Sequence, residues 1–364
     1  MITVTETIPS FETFSETLGY EPSGSLFFDI ETTGFSPSSS LLFLVGTLEL
    51  QEETWKLTQY LAEHPDDERR IVEAFFTSAS RHSTLLHFNG STFDLPYLTK
   101  KAAHYGISHT LGQTASVDLY QKFRPLGKLL PLTQKNQKAF EEFLGWRRSD
   151  HLSGKHMLSL FPKFAASAEP ELCSLLLGHN HDDMIGMTKL LPMAAYLELL
   201  DGTGADAVSS FCASAGSGPY QDREKILNID FSLKHCLPKP FAADADFRLT
   251  ASGSSGQLQI PLWNGTLCYF FADYKNYYYL PLEDQAVHKS VARFVDKQYR
   301  IPAKASNCYI KKSGVFLPQP EEIFTPAFRR SFEDTELYFE YTDAFCSDAE
   351  SIQRYLAAML RHLL

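Results

Sequence analysis

The stretch Ser25-Leu26-Phe27-Phe28-Asp29-Ile30-Glu31-Thr32-Thr33-Gly34 decides the reading of the fold, because an apolar run there ends abruptly in two carboxylates. Side chains alternate along a strand, so Asp29 and Glu31 point to one face while Ile30 packs on the other. Two neighbouring carboxylates repel. They are tolerated at a strand end when solvated, or when they hold a hard divalent cation such as Mg²⁺, whose sites combine a few carboxylates with water and substrate phosphate. Gly34 lets the backbone turn closely behind them. Outward from this stretch, the turn residues Ser36-Pro37-Ser38-Ser39 separate it from a second apolar run, Ser40 to Leu50, and Thr54 to Leu61 follows as a third strand. Three such runs in succession predict an antiparallel meander. Pro65-Asp66-Asp67-Glu68 opens a helix whose apolar face is Ile71, Val72, Phe75 and Phe76. A strand over Thr84 to Phe88, a helix over Thr92 to Tyr105 and a strand over Ala115 to Leu119 complete the order βββαβαβ. With helices after it, that order describes a mixed α/β sheet, antiparallel in its first three strands and parallel thereafter.

Two further acids stand in comparable settings. Phe88-Asn89-Gly90-Ser91-Thr92-Phe93-Asp94-Leu95-Pro96 follows a buried strand and sets Asp94 in the first turn of a helix, with Asn89 able to fix the loop by side-chain hydrogen bonds. Gly178-His179-Asn180-His181-Asp182-Asp183 sets His179 and Asp183 four apart, on one helical face, amid Leu175, Leu176, Met184, Met187 and Leu190. His181 falls elsewhere on a regular helix. Asp118, at the end of the strand Val117-Asp118, either supports this group from behind or is an ordinary strand-terminal acid.

These three elements in this order resemble the exonuclease motifs of the DEDD 3′-to-5′ exonuclease superfamily, on a ribonuclease-H-like fold, and more closely the YprB-type ribonuclease-H-like proteins of bacteria. The resemblance covers about the first 200 residues. It implies that Asp29, Glu31, Asp94 and Asp183 hold two divalent metal ions, Mg²⁺ or Mn²⁺, and that Thr32, Gly34 and Asn89 contact the terminal nucleotide. The superfamily carries either a Tyr four residues before the last Asp or a His five before it. Here His179 occupies the Tyr register, which makes it the candidate general base and leaves that role open. The implied activity is metal-dependent phosphodiester hydrolysis, a 3′-5′ exonuclease acting on single-stranded 3′ ends of DNA or RNA. The rival is a catalytically silent nucleic-acid-binding or scaffold protein on the same fold. Independently of the resemblance, in-line attack on a phosphodiester needs an activated water and a stabilised leaving oxygen, which two metals and an imidazole supply.

Charge is unevenly spread over the chain, whose net charge is −11. Met1 to Arg70 holds 3 basic and 13 acidic residues, whereas Lys100 to Lys163 holds 11 basic and 4 acidic. Lys122, Arg124, Lys128, Lys135, Lys138, Arg147, Arg148, Lys155 and Lys163 lie between the third and fourth acids in sequence. Folding that unites the acids therefore brings part of this stretch toward a bound phosphate, with Lys128 and Lys135 as the expected contacts.

The 364 residues suit two domains. The expected division is a ribonuclease-H-like domain over 1–204, a Gly/Ser-rich linker over 205–225, and a β-rich α+β region over 226–364. In the last, Asn264-Gly265 is a hairpin signal, and Ser347 with Glu350 a capping box opening a terminal helix. Trp263, Phe270, Phe271, Tyr274, Tyr277, Tyr278 and Tyr279 either build a core or stack bases. This region is read as an accessory domain of unknown role, one reading being a protein-interaction module that recruits the nuclease domain. The six cysteines, each more than twenty residues from the next, offer no zinc spacing and read as buried reduced thiols of a cytoplasmic protein. The longest apolar run, Leu41 to Gly46, is far short of the roughly 20 residues of a membrane span.

Overall fold

The computed structural model describes residues 1–148, 154–216 and 225–363, with the side chains of residues 154 and 155 left aside. The chain divides into two compact units, Met1–Leu197 and Glu198–Leu364.

The first unit is built on β1 (Ile2–Ile8), the short helix α1 (Ser15–Leu18), β2 (Ser25–Thr32), β3 (Leu42–Gln51), β4 (Thr54–Leu61), α2 (Glu68–Ala79), β5 (Thr84–His87), α3 (Asp94–Tyr105), β6 (Ala115–Asp118), α4 (Leu119–Phe123), α5 (Gln137–Leu144), α6 (Gly154–Ser167) and α7 (Pro170–Leu190). Its six strands run in the order β1-β4-β3-β2-β5-β6. The expected meander is there, β2 pairing β3 and β3 pairing β4 antiparallel, and β5 and β6 then add in parallel. One strand escaped the sequence reading. Ile2–Ile8 pairs antiparallel with β4 as an edge strand, and its alternating Thr, Val and Glu side chains are mostly exposed, so it carries no apolar run to announce it.

Alternation along β2 does what was expected: Ile30 is buried in the main apolar cluster with Leu26, Phe28, Phe43, Leu44 and Val45, while Asp29 and Glu31 face away. Phe43 stacks on Phe161 of α6 at 4.5 Å between ring centroids, seating that helix on the sheet. Glu68 of α2 is buried, ion-paired to Lys101 of α3 at 2.6 Å and accepting from the Leu42 amide, so both helices are tied to the strand next to β2. At its start α7 has Pro170 and Glu171, and it buries Leu176, Met184, Met187 and Leu190. Gly46 is what lets it come close: a Cβ there would lie 2.4 Å from Asn180 Oδ1 and 2.8 Å from Met184 Cγ.

After α8 (Ala194–Asp201), which spans the boundary, the second unit has β7 (Ala205–Ser214), β8 (Ile226–Asp244), β9 (Arg248–Pro261), β10 (Trp263–Phe270), β11 (Tyr277–Leu280), β12 (Gln285–His288), α9 (Lys289–Ala292), β13 (Ile301–Pro302), β14 (Tyr309–Gln319), β15 (Leu337–Glu340), α10 (Asp343–Ser347) and α11 (Ala349–Arg361). Its three small sheets are β7-β8-β9, β10-β14-β15 and β12-β11-β13. Three expectations are corrected here. The supposed linker over 205–225 begins with a strand, because residues 205–214 pair antiparallel with β8 despite two register irregularities; residues 217–224 lie outside the described part. Asn264 and Gly265 sit inside β10, opposite Val315 and Gly314, so non-local pairing with β14 overrides the local hairpin signal. The last helix begins after Asp348, which makes no side-chain cap bond, and Ser347 ends α10 instead of opening a capping box. All six cysteines are free thiols, but only Cys308 is buried, and Cys212 and Cys236 are exposed. No described helix is long and apolar enough to cross a membrane.

Candidate active site

Asp29 and Glu31 leave β2 beside a register shift between Glu31 and Thr32, where the strand stops pairing regularly with β3. Opposite Asp29 in that pairing stands Gly46, and the space above it admits Asn180 of α7, which donates from Nδ2 to Asp29 Oδ2 at 2.9 Å. Asn180 is itself oriented by Gln59 of β4, whose amide donates to its Oδ1 at 2.9 Å and to the Leu177 carbonyl at 2.8 Å. This Gln59–Asn180–Asp29 chain fixes one acid without neutralising it.

His179 and Asp183 share a face of α7, as their spacing requires. His179 is buried, and its Nε2 lies 3.5 Å from Glu31 Oε1 and 3.5 Å from Asp183 Oδ2. One ligand atom from each of Glu31, His179 and Asp183 falls within 4.8 Å of the others, a group able to hold a cation. Asp29 and Asp94 are not in that tight group, yet both feel it. Burial, then Asp183, Glu31 and Asp94 in turn, hold the Asp29 carboxyl well above the usual carboxylate range, against the Asn180 hydrogen bond. Asp94 is pushed up to about 7, chiefly by burial and further by Asp118 and Asp183, while its own amide and that of Ile30 oppose the rise. A bound cation would relieve the mutual repulsion of acids this crowded. The oxygen-rich donor set with a single imidazole fits Mg²⁺ or Mn²⁺ better than a thiolate-seeking metal.

The loop that delivers Asp94 is held from behind. Asn89 adopts φ 62°, and its amide donates to Asp118 Oδ1 at 2.8 Å; the same carboxylate caps α4 through Tyr120 and Gln121. Of the two readings of Asp118, the supporting one therefore has the geometry. His87 is buried with Nδ1 accepting from the Gly90 amide at 3.0 Å and Nε2 against Ser116 Oγ at 2.8 Å. A Cβ on Gly90 would lie 2.8 Å from that ring and 3.1 Å from Asp94 Oδ2, so only glycine fits between them. Burial drives His87 down to about 4, Asp118 notwithstanding.

Thr32 and Gly34 are at the site's edge, but the Thr32 hydroxyl donates to the Gly34 carbonyl at 2.9 Å and faces its own loop. Asn89 is exposed. Lys128 and Lys135 are exposed, the Lys135 stem lying along Gly127, and neither is ion-paired among the described residues. Of the basic stretch, Arg148 is the member seen to reach the acids. Its Nη1 lies 2.6 Å from Asp183 Oδ1, and its Nε and Nη2 bond the two oxygens of buried Glu141 at 2.6 and 2.8 Å. Gln137 of α5 adds a bond to the Asp183 carbonyl at 2.8 Å. A Cβ on Gly186 would sit 2.0 Å from Glu141 Oε1, so this glycine of α7 makes room for the whole buttress. Sequence reading placed Arg148 in the basic stretch without singling it out, quoted Asn180 within its motif without giving it a role, and missed Gln59 and Glu141. Lys155's side chain lies outside the described part.

Residues 26–194 match the model of the RNase_H superfamily. The first unit is thus a ribonuclease-H-like domain. Among solved structures the chain is similar to the family B DNA polymerase of the archaeon Pyrobaculum calidifontis, with 15% identity and a TM-score of 0.38, over 72% of this chain and 38% of that one. It is also similar to E. coli exonuclease I in complex with a dT13 oligonucleotide, with 13% identity and a TM-score of 0.30, over 57% of this chain and 54% of that one. A structure of exonuclease I without ligand gives 14% identity and a TM-score of 0.30, over 44% of this chain and 45% of that one. The chain thus spans about half or less of these structures. No curated protein matches it.

Proposed function

We propose that this protein is a metal-dependent nuclease of the DEDD type, similar in its motifs to the YprB-type proteins, removing nucleotides from the 3′ end of single-stranded DNA or RNA. The observation that carries the reading is the gathering of Glu31, His179 and Asp183 within 4.8 Å, with Asp29 and Asp94 electrostatically coupled to that group. Asp29, Glu31, Asp94 and Asp183 would hold two divalent ions, which when bound supply activation of water and stabilisation of the leaving oxygen.

The chain's own residues do the rest. Asn180 and Gln59 keep the Asp29 carboxylate aimed, and the Asn89–Asp118 contact sets Asp94 at the mouth of its helix. Arg148, neutralised by Glu141, holds one oxygen of Asp183 and leaves Oδ2 turned toward His179, the arrangement by which partners behind a ligand orient it. His179 is placed to take or orient the proton of an attacking water. Phe35, 85% exposed with its ring 6.1 Å from Phe93, offers a face on which a terminal base can stack. Lys128 and Lys135 are the proposed phosphate contacts along the strand. Nucleic acid as substrate and six unpaired thiols fit a cytoplasmic protein.

The test of direction and substrate is a pair of labelled single strands, DNA and RNA, incubated with Mn²⁺ or Mg²⁺ or with chelator. A 5′ label yields a descending ladder and a 3′ label yields only the mononucleotide, in both metals and not in chelator. Internal fragments from a 3′-labelled strand would replace the exonuclease with an endonuclease, and no product in either metal would return the reading to the silent scaffold.

A further inference from the structure

We propose that the outer face of the small sheet β12-β11-β13, with α9 and the turn after it, is a docking surface for single-stranded nucleic acid. The choice of ligand rests on the nuclease reading; the surface itself rests on the following geometry.

β11 divides its three tyrosines by the pleat. Tyr277 stacks on Phe271 at 4.5 Å, and the Tyr279 hydroxyl bonds Asp284, which Tyr309 and Lys311 also bond. Both rings pack against the cluster of Ala286, Ala303 and Cys308. Tyr278 therefore points the other way. On that outer side Lys289 Nζ lies 5.7 Å and the Arg300 guanidinium 4.9 Å from the Tyr278 ring centroid, and Arg300 is braced by the Ala292 carbonyl at the end of α9. Arg293 lies 4.7 Å over the ring of Phe294. Of the seven aromatics that the sequence offered for stacking, Tyr277, Tyr279 and Phe271 thus belong to a core, whereas Tyr278 is on the outer face, joined by rings not singled out before.

The chain segment around it exposes apolar side chains. Leu282, Val291, Phe294 and Tyr299 are 76, 58, 79 and 46% exposed. They are four of the ten exposed large hydrophobic residues among the described ones, gathered within eighteen positions of the chain. Ile301, opposite Tyr279 in the pairing of β13 with β11, belongs to the other face. Clustered exposure of this kind marks a binding surface.

Charge selects the occupant. Residues 282–304 hold five cations, Lys289, Arg293, Lys297, Arg300 and Lys304, against Glu283, Asp284 and Asp296, of which Asp284 is taken by Lys311, in a chain of net charge −11. None of the five is ion-paired among the described residues, and Asp296 is engaged with the Gln298 amide at 3.2 Å. An apolar protein partner would leave these cations desolvated without partners. A four-residue helix is too short to lie as an amphipathic anchor in a bilayer. A single strand supplies what both halves of the surface need, because each base has a π face for Phe294, Tyr299 and Tyr278 and each phosphate a charge for the cations.

The test is fluorescence anisotropy of the full chain with labelled oligo(dT) and oligo(rU) of about 20 nucleotides, in chelator, across a salt series. Phe294→Ser, exposed enough to leave folding alone, is expected to weaken binding roughly tenfold or more. Lys289→Gln with Arg293→Gln is expected to lower the salt slope by about 1.4, the sum for two phosphate contacts on a single strand. Melting temperature and the Mn²⁺ binding isotherm should equal the parent's in both. Parent-like affinity and slope in both variants would overturn the proposal. So would binding of phosphatidylserine vesicles by the parent that Phe294→Ser abolishes while oligonucleotide affinity stays unchanged. The two readings fail separately: loss of binding in these variants, in a protein that cleaves nothing, keeps the surface and removes the nuclease, and undiminished binding in a protein that cleaves does the reverse.

Discussion

Asp94→Asn should stabilise the metal-free protein at alkaline pH and remove much of its response to metal. Asp94 titrates at about 7 in the fold against an ordinary 3.8. A carboxyl raised in this way binds its proton more tightly folded than unfolded. The stability it contributes is complete below pH 3.8 and is lost as pH rises through about 7. About three units at 1.36 kcal/mol each give at most about 4 kcal/mol of strain at pH 8. Water entering the cleft screens part of it, so about 2 kcal/mol, or roughly 5 °C in melting temperature, is the expected gain for the asparagine variant. His87 acts in the opposite sense, since its value near 4 costs stability as pH falls below 6.5, but it is common to both proteins and cancels in their difference. The assay is calorimetry of parent and Asp94→Asn in chelator at pH 5 and pH 8, repeated at pH 8 with saturating Mn²⁺. The gap should be several degrees at pH 8 and shrink at pH 5, and Mn²⁺ should raise the parent more than the variant. A variant less stable than the parent at pH 8, or an equal gap at both pH values, would refute the argument that unpaired charge strains this cleft.

Arg148→Lys keeps a positive charge but cannot bridge Glu141 and Asp183 together, so Mn²⁺ affinity measured by calorimetric titration should fall on the order of 10- to 100-fold; tighter binding would make Arg148 a competitor of the metal instead. His179→Ala should lose on the order of 10² to 10⁴ in metal-saturated turnover, and full activity in a protein of lowered melting temperature would reduce His179 to a packing residue. Lys128→Ala with Lys135→Ala should flatten the salt dependence of oligonucleotide binding by about 1.4, and an unchanged slope would return both to plain surface.

How far the site could be read in advance depended on how local its causes are. Asp29 and Glu31 were legible because a strand's pleat alone puts them on one face, and His179 and Asp183 because a helix's turn does the same. Asp94 was legible through the loop signal that precedes it. Arg148 was not, because its guanidinium meets Asp183 only through the packing of α5 on α7, which depends on a missing side chain at Gly186. Gln59 and Asn180 meet across 121 positions over the space left by Gly46, and nothing near either residue reports it. In the second unit the local signals were present but outweighed: Asn264-Gly265 is a good turn that lies in a strand because β14 pairs along its full length. Ser347 and Glu350 have capping spacing, yet α10 already holds Ser347.

The most direct measurement is cleavage by the parent compared with Asp183→Asn, each shown by its melting curve to be folded, on one end-labelled single strand at saturating Mn²⁺. Asn at 183 removes a ligand charge without opening a cavity. The parent should shorten the strand progressively, chelator should stop it, and Asp183→Asn should leave the strand intact over the same interval. Equal shortening by both proteins would contradict the account, because the reaction would then proceed without the acid that joins His179, Glu31 and Arg148 in one site.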